Sequence, residues 1–303
     1  MGRIVVCDQR TGWTMNRRNL FSLEGRTAVV TGASSGIGVT FAAALAANGA
    51  NVVVAARRAD RLERVAADLG GEDAGVVPVT CDVTDAAAVD ALMETAWTRF
   101  GRVDILVNNA GTAGDGGPVP ERLPDELFEA TVRANLLGVW YCCRAAGARM
   151  LADGRGGSIV NISSVLGLGA QQDYPPAYMS TKAAVLNLTR ALALSWADRG
   201  VRVNAIAPGW FQSEMTEPFF QIPGFYDSIL VQQPTGRIGR PDELAGPLLF
   251  LASDAASYVS GHTLVVDGGM SAGFGASRHP EELKATFAQV IPHGLGERIM
   301  PSA

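Results

Sequence analysis

Short, continuous apolar runs rich in β-branched residues alternate with helical patterns through most of this sequence, and that rhythm leaves few folds open. The runs fall at 27–31, 51–55, 76–81, 105–108, 158–162, 201–205 and 263–266. They are near-continuously apolar rather than alternating, as strands buried on both faces are. Helical patterns fill 36–48, 60–69, 85–100, 124–151, 177–199 and 241–252. The alternation predicts an α/β fold: one doubly wound parallel sheet of about seven strands, helices on both faces, crossovers right-handed. Hydrophobic residues at 48% against 18% charged supply the core such a sheet needs.

Several function classes drop out. The net charge is −5 and no long basic run occurs, which argues against nucleic acid as a partner. No apolar run is long enough to span a membrane, and the short patch 4–7 behind Arg3 is a poor signal peptide. Cys7, Cys81, Cys142 and Cys143 lack metal-ligand or disulfide spacing, so a reducing cytoplasm is expected. His262, His279 and His293 are scattered, and no metal site is expected.

The domain is expected over 23–272. Residues 1–22 form an N-terminal extension. Met15 opens a plausible second start, and the first fourteen residues are either an extension of little consequence or a docking arm. Residues 209–236 break the strand–helix rhythm with Trp210, Phe211, Phe219, Phe220, Phe225 and Tyr226. A long connection after a strand's carboxyl end is where a lid over a crevice would sit; a surface insertion packing its aromatics on itself is the other reading. Residues 273–303 form a tail, with one short helix expected around 280–289.

The chemistry begins at Thr31-Gly-Ala-Ser-Ser-Gly-Ile-Gly38, between the first strand and the first helix. Gly32 permits the tight turn. Gly36 and Gly38 let the backbone approach a pyrophosphate resting on the helix N-terminus, beside Ser34, Ser35 and Ile37. The second strand then ends Ala56-Arg57-Arg58, without the carboxylate that would hold the ribose of NAD. A guanidinium fork suits a 2′-phosphate, which favours NADP over NAD. Farther on, Tyr178 and Lys182 lie four apart, one turn above each other on a helix. An ammonium beside a phenol favours the phenolate and makes a proton donor or acceptor for a carbonyl–alcohol pair.

With these elements in order, the chain from about Leu23 to Gly269 resembles a short-chain dehydrogenase/reductase, a Rossmann-type fold. The family's glycine motif is Thr31–Gly38. Its Asn-Asn-Ala-Gly is Asn108–Gly111, its helical asparagine Asn135, its serine Ser164 and its Pro-Gly is Pro208-Gly209. Asp82 matches the residue that contacts adenine. Two departures stand out. The 164–178 stretch is about one residue longer than in many relatives, so Ser163 competes with Ser164 for the serine role. Ser213 replaces the threonine near the nicotinamide amide.

The resemblance implies an NAD(P)-dependent oxidoreductase interconverting a ketone and a secondary alcohol. Tyr178 would be acid and base, and Ser164 would bond the developing alkoxide. Lys182 would tune Tyr178 and bind the nicotinamide ribose, and Asn135 would hold a water linking Lys182 to solvent. The cofactor contacts it implies include Val83, Asn109, Ala110, Gly111, Phe211 and Met215. A bulky or apolar carbonyl suits the aromatic connection. The alternatives are a 3-oxoacyl-thioester reductase, with Arg155 and Arg199 as docking arginines, and a non-catalytic nucleotide-binding regulator. A homotetramer or homodimer is expected, joined through 124–151 and 177–199 with Trp140, Leu186, Leu192 and Leu194.

Overall fold

The computed structural model describes residues 7–8, 13–14, 19–113, 120–172 and 174–273. The expected tail helix, His279 and His293 lie outside these residues, as does most of the N-terminal extension. Seven strands form one parallel sheet: β1 (Thr27–Thr31), β2 (Asn51–Ala56), β3 (Val76–Thr80), β4 (Ile105–Asn108), β5 (Gly157–Ile162), β6 (Val201–Pro208) and β7 (Thr263–Val266). Their order is β3-β2-β1-β4-β5-β6-β7, with every pairing parallel.

The order reverses beside β1. Chain leaving β1 moves toward β2, and chain leaving β4 moves toward β5. The carboxyl ends of β1 and β4 therefore part around a crevice.

The continuous apolar runs have a visible cause. Val30, Val52, Val54 and Val107 enter one core with α1 (Gly36–Ala47), α2 (Ala59–Asp68) and α9 (Ala245–Ala252). Val29, Val53 and Leu106 enter the other, with α3 (Ala86–Phe100), α5 (Gly138–Asp153) and α6 (Pro176–Trp196). Successive strand residues point to opposite faces, so a strand covered on both sides keeps no face for solvent and is apolar at most positions, its few polar residues buried with them. Each fully buried valine contributes about 1.5–3 kcal/mol.

Three expectations needed adjustment. The pattern 124–151 is two helices, α4 (Asp125–Val132) and α5, joined by a π-turn at Arg133–Leu137. The 209–236 connection holds two short helices, α7 (Glu217–Phe220) and α8 (Phe225–Gln232). Leu186 and Leu192 are buried in the chain's own core and offer nothing to a partner, whereas Trp140 and Leu194 remain exposed, at 38% and 86%.

Candidate active site

A cleft of about 730 Å³ opens at the carboxyl ends of the strands. One end is the turn between β1 and α1. Gly32 has φ +67°, and a Cβ there would stand 2.8 Å from Ala110 Cα. A Cβ at Gly38 would meet the Gly32 carbonyl. The two glycines thus let the turn lie directly on the end of β4, where Asn109 Nδ2 donates to Thr31 O (3.0 Å) and Gly32 O (3.1 Å). Helix α1 starts without a side-chain cap and without an acidic residue in its first turn. Its leading amides and positive dipole end suit an anion, so the turn fits a pyrophosphate.

The other end carries the proton chemistry. Pro176 opens α6 at its first position, and this puts Tyr178 and Lys182 on consecutive turns beside the end of β5. Lys182 is buried and donates from Nζ to Ile162 O at 2.9 Å; its ammonium lies 5.5 Å from the Tyr178 ring centroid. Burial lowers the Lys182 pKa from 10.5 to about 8. The adjoining serines differ. Ser163 Oγ donates to Lys182 O at 2.8 Å and so holds the turn after β5 to α6. Ser164 Oγ accepts from Leu166 N at 3.1 Å, which leaves its hydroxyl proton for another acceptor.

Asn135 is fully buried in the π-turn. Its Oδ1 accepts from Thr112 N and its Nδ2 donates to Thr112 O, both at 2.8 Å. Nδ2 also reaches Thr181 Oγ1 at 3.4 Å, so the side chain clamps the segment after β4 to the helix and touches α6 beside Lys182, with no direct bond to Lys182 among the described residues. The π-turn has its own effect: Gly138 N donates to Arg133 O, drawn away from Ala134 O, its partner in an α-helix. Ala134 itself lines the cleft.

At the mouth, Arg58 is fixed by three groups. Its Nη2 donates to Ser35 Oγ (2.7 Å) and Ser34 Oγ (3.1 Å), and its fork meets Glu214. Arg57 is exposed beside it and lines the cleft.

Of the residues expected from the sequence to act in catalysis or cofactor binding, all line this cleft except Gly38, which shapes the turn from beneath, and Asn135, which lies behind the wall. Reasoning from sequence missed Glu214, Thr216 and Ala134, which also line it. For Glu214 a signal existed: it lies between Ser213 and Met215, both expected at the cofactor. Among the described residues, no group of three or more His, Cys, Asp or Glu is placed to hold a metal ion, and no helix is long and apolar enough to cross a membrane.

A parallel sheet with a glycine-turned anion cradle and a Tyr–Lys pair at its crevice defines a dinucleotide-dependent oxidoreductase. Comparison with known proteins gives the family. The profile described as Enoyl-(Acyl carrier protein) reductase matches residues 32–271. Galactitol 2-dehydrogenase (L-tagatose-forming) of Cereibacter sphaeroides is 44% identical over 262 residues, covering 84% of this chain and 98% of the relative. A 3-oxoacyl-[acyl-carrier-protein] reductase of Synechocystis is 40% identical over 251 residues, covering 82% and 98%. The crystal structure of a gluconate 5-dehydrogenase from Burkholderia cenocepacia, in complex with NADP and tartrate, superposes with a TM-score of 0.79 at 37% identity, covering 84% of this chain and 98% of that one. The chain belongs to the short-chain dehydrogenase/reductase family. It is an NAD(P)-dependent oxidoreductase acting on the CH–OH group of an alcohol or the matching ketone.

Proposed function

We propose that this enzyme prefers NADP and interconverts a bulky or apolar ketone with its secondary alcohol, with Tyr178 as acid and base. The observation that carries the reading is a single cleft with an uncapped glycine helix N-terminus at one end and Ser164, Tyr178 and Lys182 at the other. Held in this cleft, a nicotinamide dinucleotide would supply the hydride chemistry for the carbonyl carbon, in either direction. Tyr178 Oη gives its proton to the carbonyl oxygen, or takes it back. Ser164 donates its hydroxyl hydrogen bond to the same oxygen as negative charge develops. Lys182, held by Ile162 O, favours the phenolate of Tyr178 and would bind the nicotinamide ribose. Asn135 positions this end through Thr112.

Gly36 and the amides after it would receive the pyrophosphate. Asp82 and Val83 would flank the adenine, and Arg57 would meet the 2′-phosphate. Solved relatives with bound NADP support the cofactor preference. Residues 209–236 act as a lid, supported by Phe211, Ser213, Met215 and Thr216 on the cleft wall and by Trp210 anchored against Tyr174, Phe220 and Phe225. The buried free thiols Cys81, Cys142 and Cys143 support a reducing, cytoplasmic setting. Exposed Trp140 and Leu194 support a homodimer or homotetramer.

The test is NADPH oxidation with bulky ketones, acyclic polyol-derived ketones and acetoacetyl thioesters, for the parent and Tyr178→Phe. The variant should lose more than 95% of turnover while binding NADPH within about threefold of the parent, since only the acid is removed. Retained turnover would refute the role of Tyr178. A preference for thioesters would favour the 3-oxoacyl-thioester alternative, although Arg155 and Arg199 sit beside Asp153 and Asp198 and offer little net charge for docking.

A further inference from the structure

The end of β2 carries no carboxylate, yet a carboxylate stands at that end of the cleft. It comes from Glu214, in the connection after β6. Glu214 Oε1 and Oε2 face Arg58 Nη1 and Nη2 at 3.2 Å each, a two-pronged pair. Arg61 Nη1 adds a bond to Oε1 at 2.7 Å. Arg58 is at the same time bonded to Ser34 and Ser35 of the glycine turn. One acidic side chain thus ties the connection over the cleft to β2, α2 and the nucleotide turn. Arg57, immediately beside it, makes no ion pair among the described residues.

We propose that Glu214 is the residue that sets the balance between NADP and NAD. The proposal rests on the reading that a 2′-phosphate enters beside Arg57 and Arg58. A guanidinium edge that already grips a carboxylate through both amino groups cannot present the same edge to a phosphate. A 2′-phosphate must displace Glu214 or lie against it, and either outcome weakens NADP. NAD brings no second anion and leaves the clasp closed. Glu214 is ionised throughout the working range, because Arg58, Arg61 and Ser35 hold its carboxyl down to about 2. The chain therefore offers guanidiniums to the phosphate while withholding one of them with an internal anion. The clasp belongs to the same segment as Ser213 and Met215, so the nucleotide that opens it also loosens the wall over the nicotinamide end.

The test is equilibrium binding of NADPH, NADH, 2′,5′-ADP and 5′-AMP to the full chain and to Glu214→Gln and Glu214→Asp. Glu214→Gln should tighten NADPH and 2′,5′-ADP about five- to tenfold, a gain held down by solvent exposure of the pair. NADH and 5′-AMP should stay within twofold. Glu214→Asp, which keeps the charge, should stay nearer the parent. The gain should shrink at 0.5 M salt. An unchanged NADPH-to-NADH affinity ratio would overturn the proposal, and so would equal weakening of both, which would make Glu214 a purely structural strut. If the parent and variants bind neither dinucleotide, the reading of the cleft falls, and the proposal with it.

Discussion

Lys182 should cost the enzyme stability at neutral pH, and the cost has a sign that can be measured. An ammonium whose pKa falls from 10.5 to about 8 on folding binds its proton about 3 kcal/mol less tightly in the native state, at about 1.4 kcal/mol per pH unit. The unfolded chain then holds more protons than the folded one between those values, so folding stability rises with pH across that window. The comparison is Tyr178→Phe against Tyr178→Phe/Lys182→Met; the shared background removes coupling to the phenol. Methionine keeps an unbranched apolar stem, one atom shorter, and ends the burial of charge. It also gives up the bond to Ile162 O, and a buried carbonyl left without its donor costs about 1–3 kcal/mol. At pH 7 the two effects nearly cancel, and the methionine variant should be as stable as its parent or up to about 2 kcal/mol more stable. Between pH 7 and pH 10.5 the parent should gain about 3 kcal/mol on it. Urea unfolding of both proteins at a series of pH values reads this difference, and all other titrations cancel. A difference flat to within about 0.5 kcal/mol across the range would show that burial does not depress Lys182.

Arg57→Ala should raise the NADPH dissociation constant about tenfold and leave NADH within twofold, read by fluorescence titration; the contact is charge-assisted but exposed. Trp210→Ala removes the ring on which Tyr174, Phe220 and Phe225 converge. It should raise KM for bulky ketones at least fivefold while KM for small ones moves less than twofold, and an equal change in both would detach these aromatics from substrate size. Light scattering at micromolar concentration should show a dimer or tetramer, and Leu194→Asp should lower the assembly state, because that side chain is 86% exposed.

The sheet was legible in the sequence because its strands are buried on both faces. Thr27–Thr31, Ile105–Asn108 and Thr263–Val266 end where expected, their apolar runs being bounded by charged, polar or glycine residues. Strand β6 runs past the expected 205 to Pro208. Its polar members find partners in the fold: Asn204 bonds Val259 O and His262 N, and Arg202 bonds Leu251 O and Ser253 O. The motif residues of the cleft were legible because glycine turns and a Tyr–Lys turn spacing are local signals. The Arg58–Glu214 pair was not, since its members lie 156 positions apart and only the path of the connection brings them together. Nor was it visible that Ser163 rather than Ser164 ties down α6, because adjacent hydroxyls differ only in direction. The π-turn left no trace either: Arg-Ala-Asn-Leu-Leu reads as ordinary helix.

That π-turn makes the long helix at 125–153 a pair of segments out of phase. Each residue advances an α-helix by about 100°, so one residue's worth of slack rotates everything on one side of it relative to the other. Asn135 clamps Thr112 from within the slack, while just beyond it Gly138 packs so close to Val83 that a Cβ there would meet Val83 Cγ2 at 2.8 Å. A single deletion within 133–137 would regularise the helix and recover a continuous ladder. It would also swing one of these two contacts off its partner by roughly a quarter of a turn. Length within this one segment is thus constrained more tightly than composition, and point substitutions of Leu136 or Leu137 should be borne far better than any change in their number.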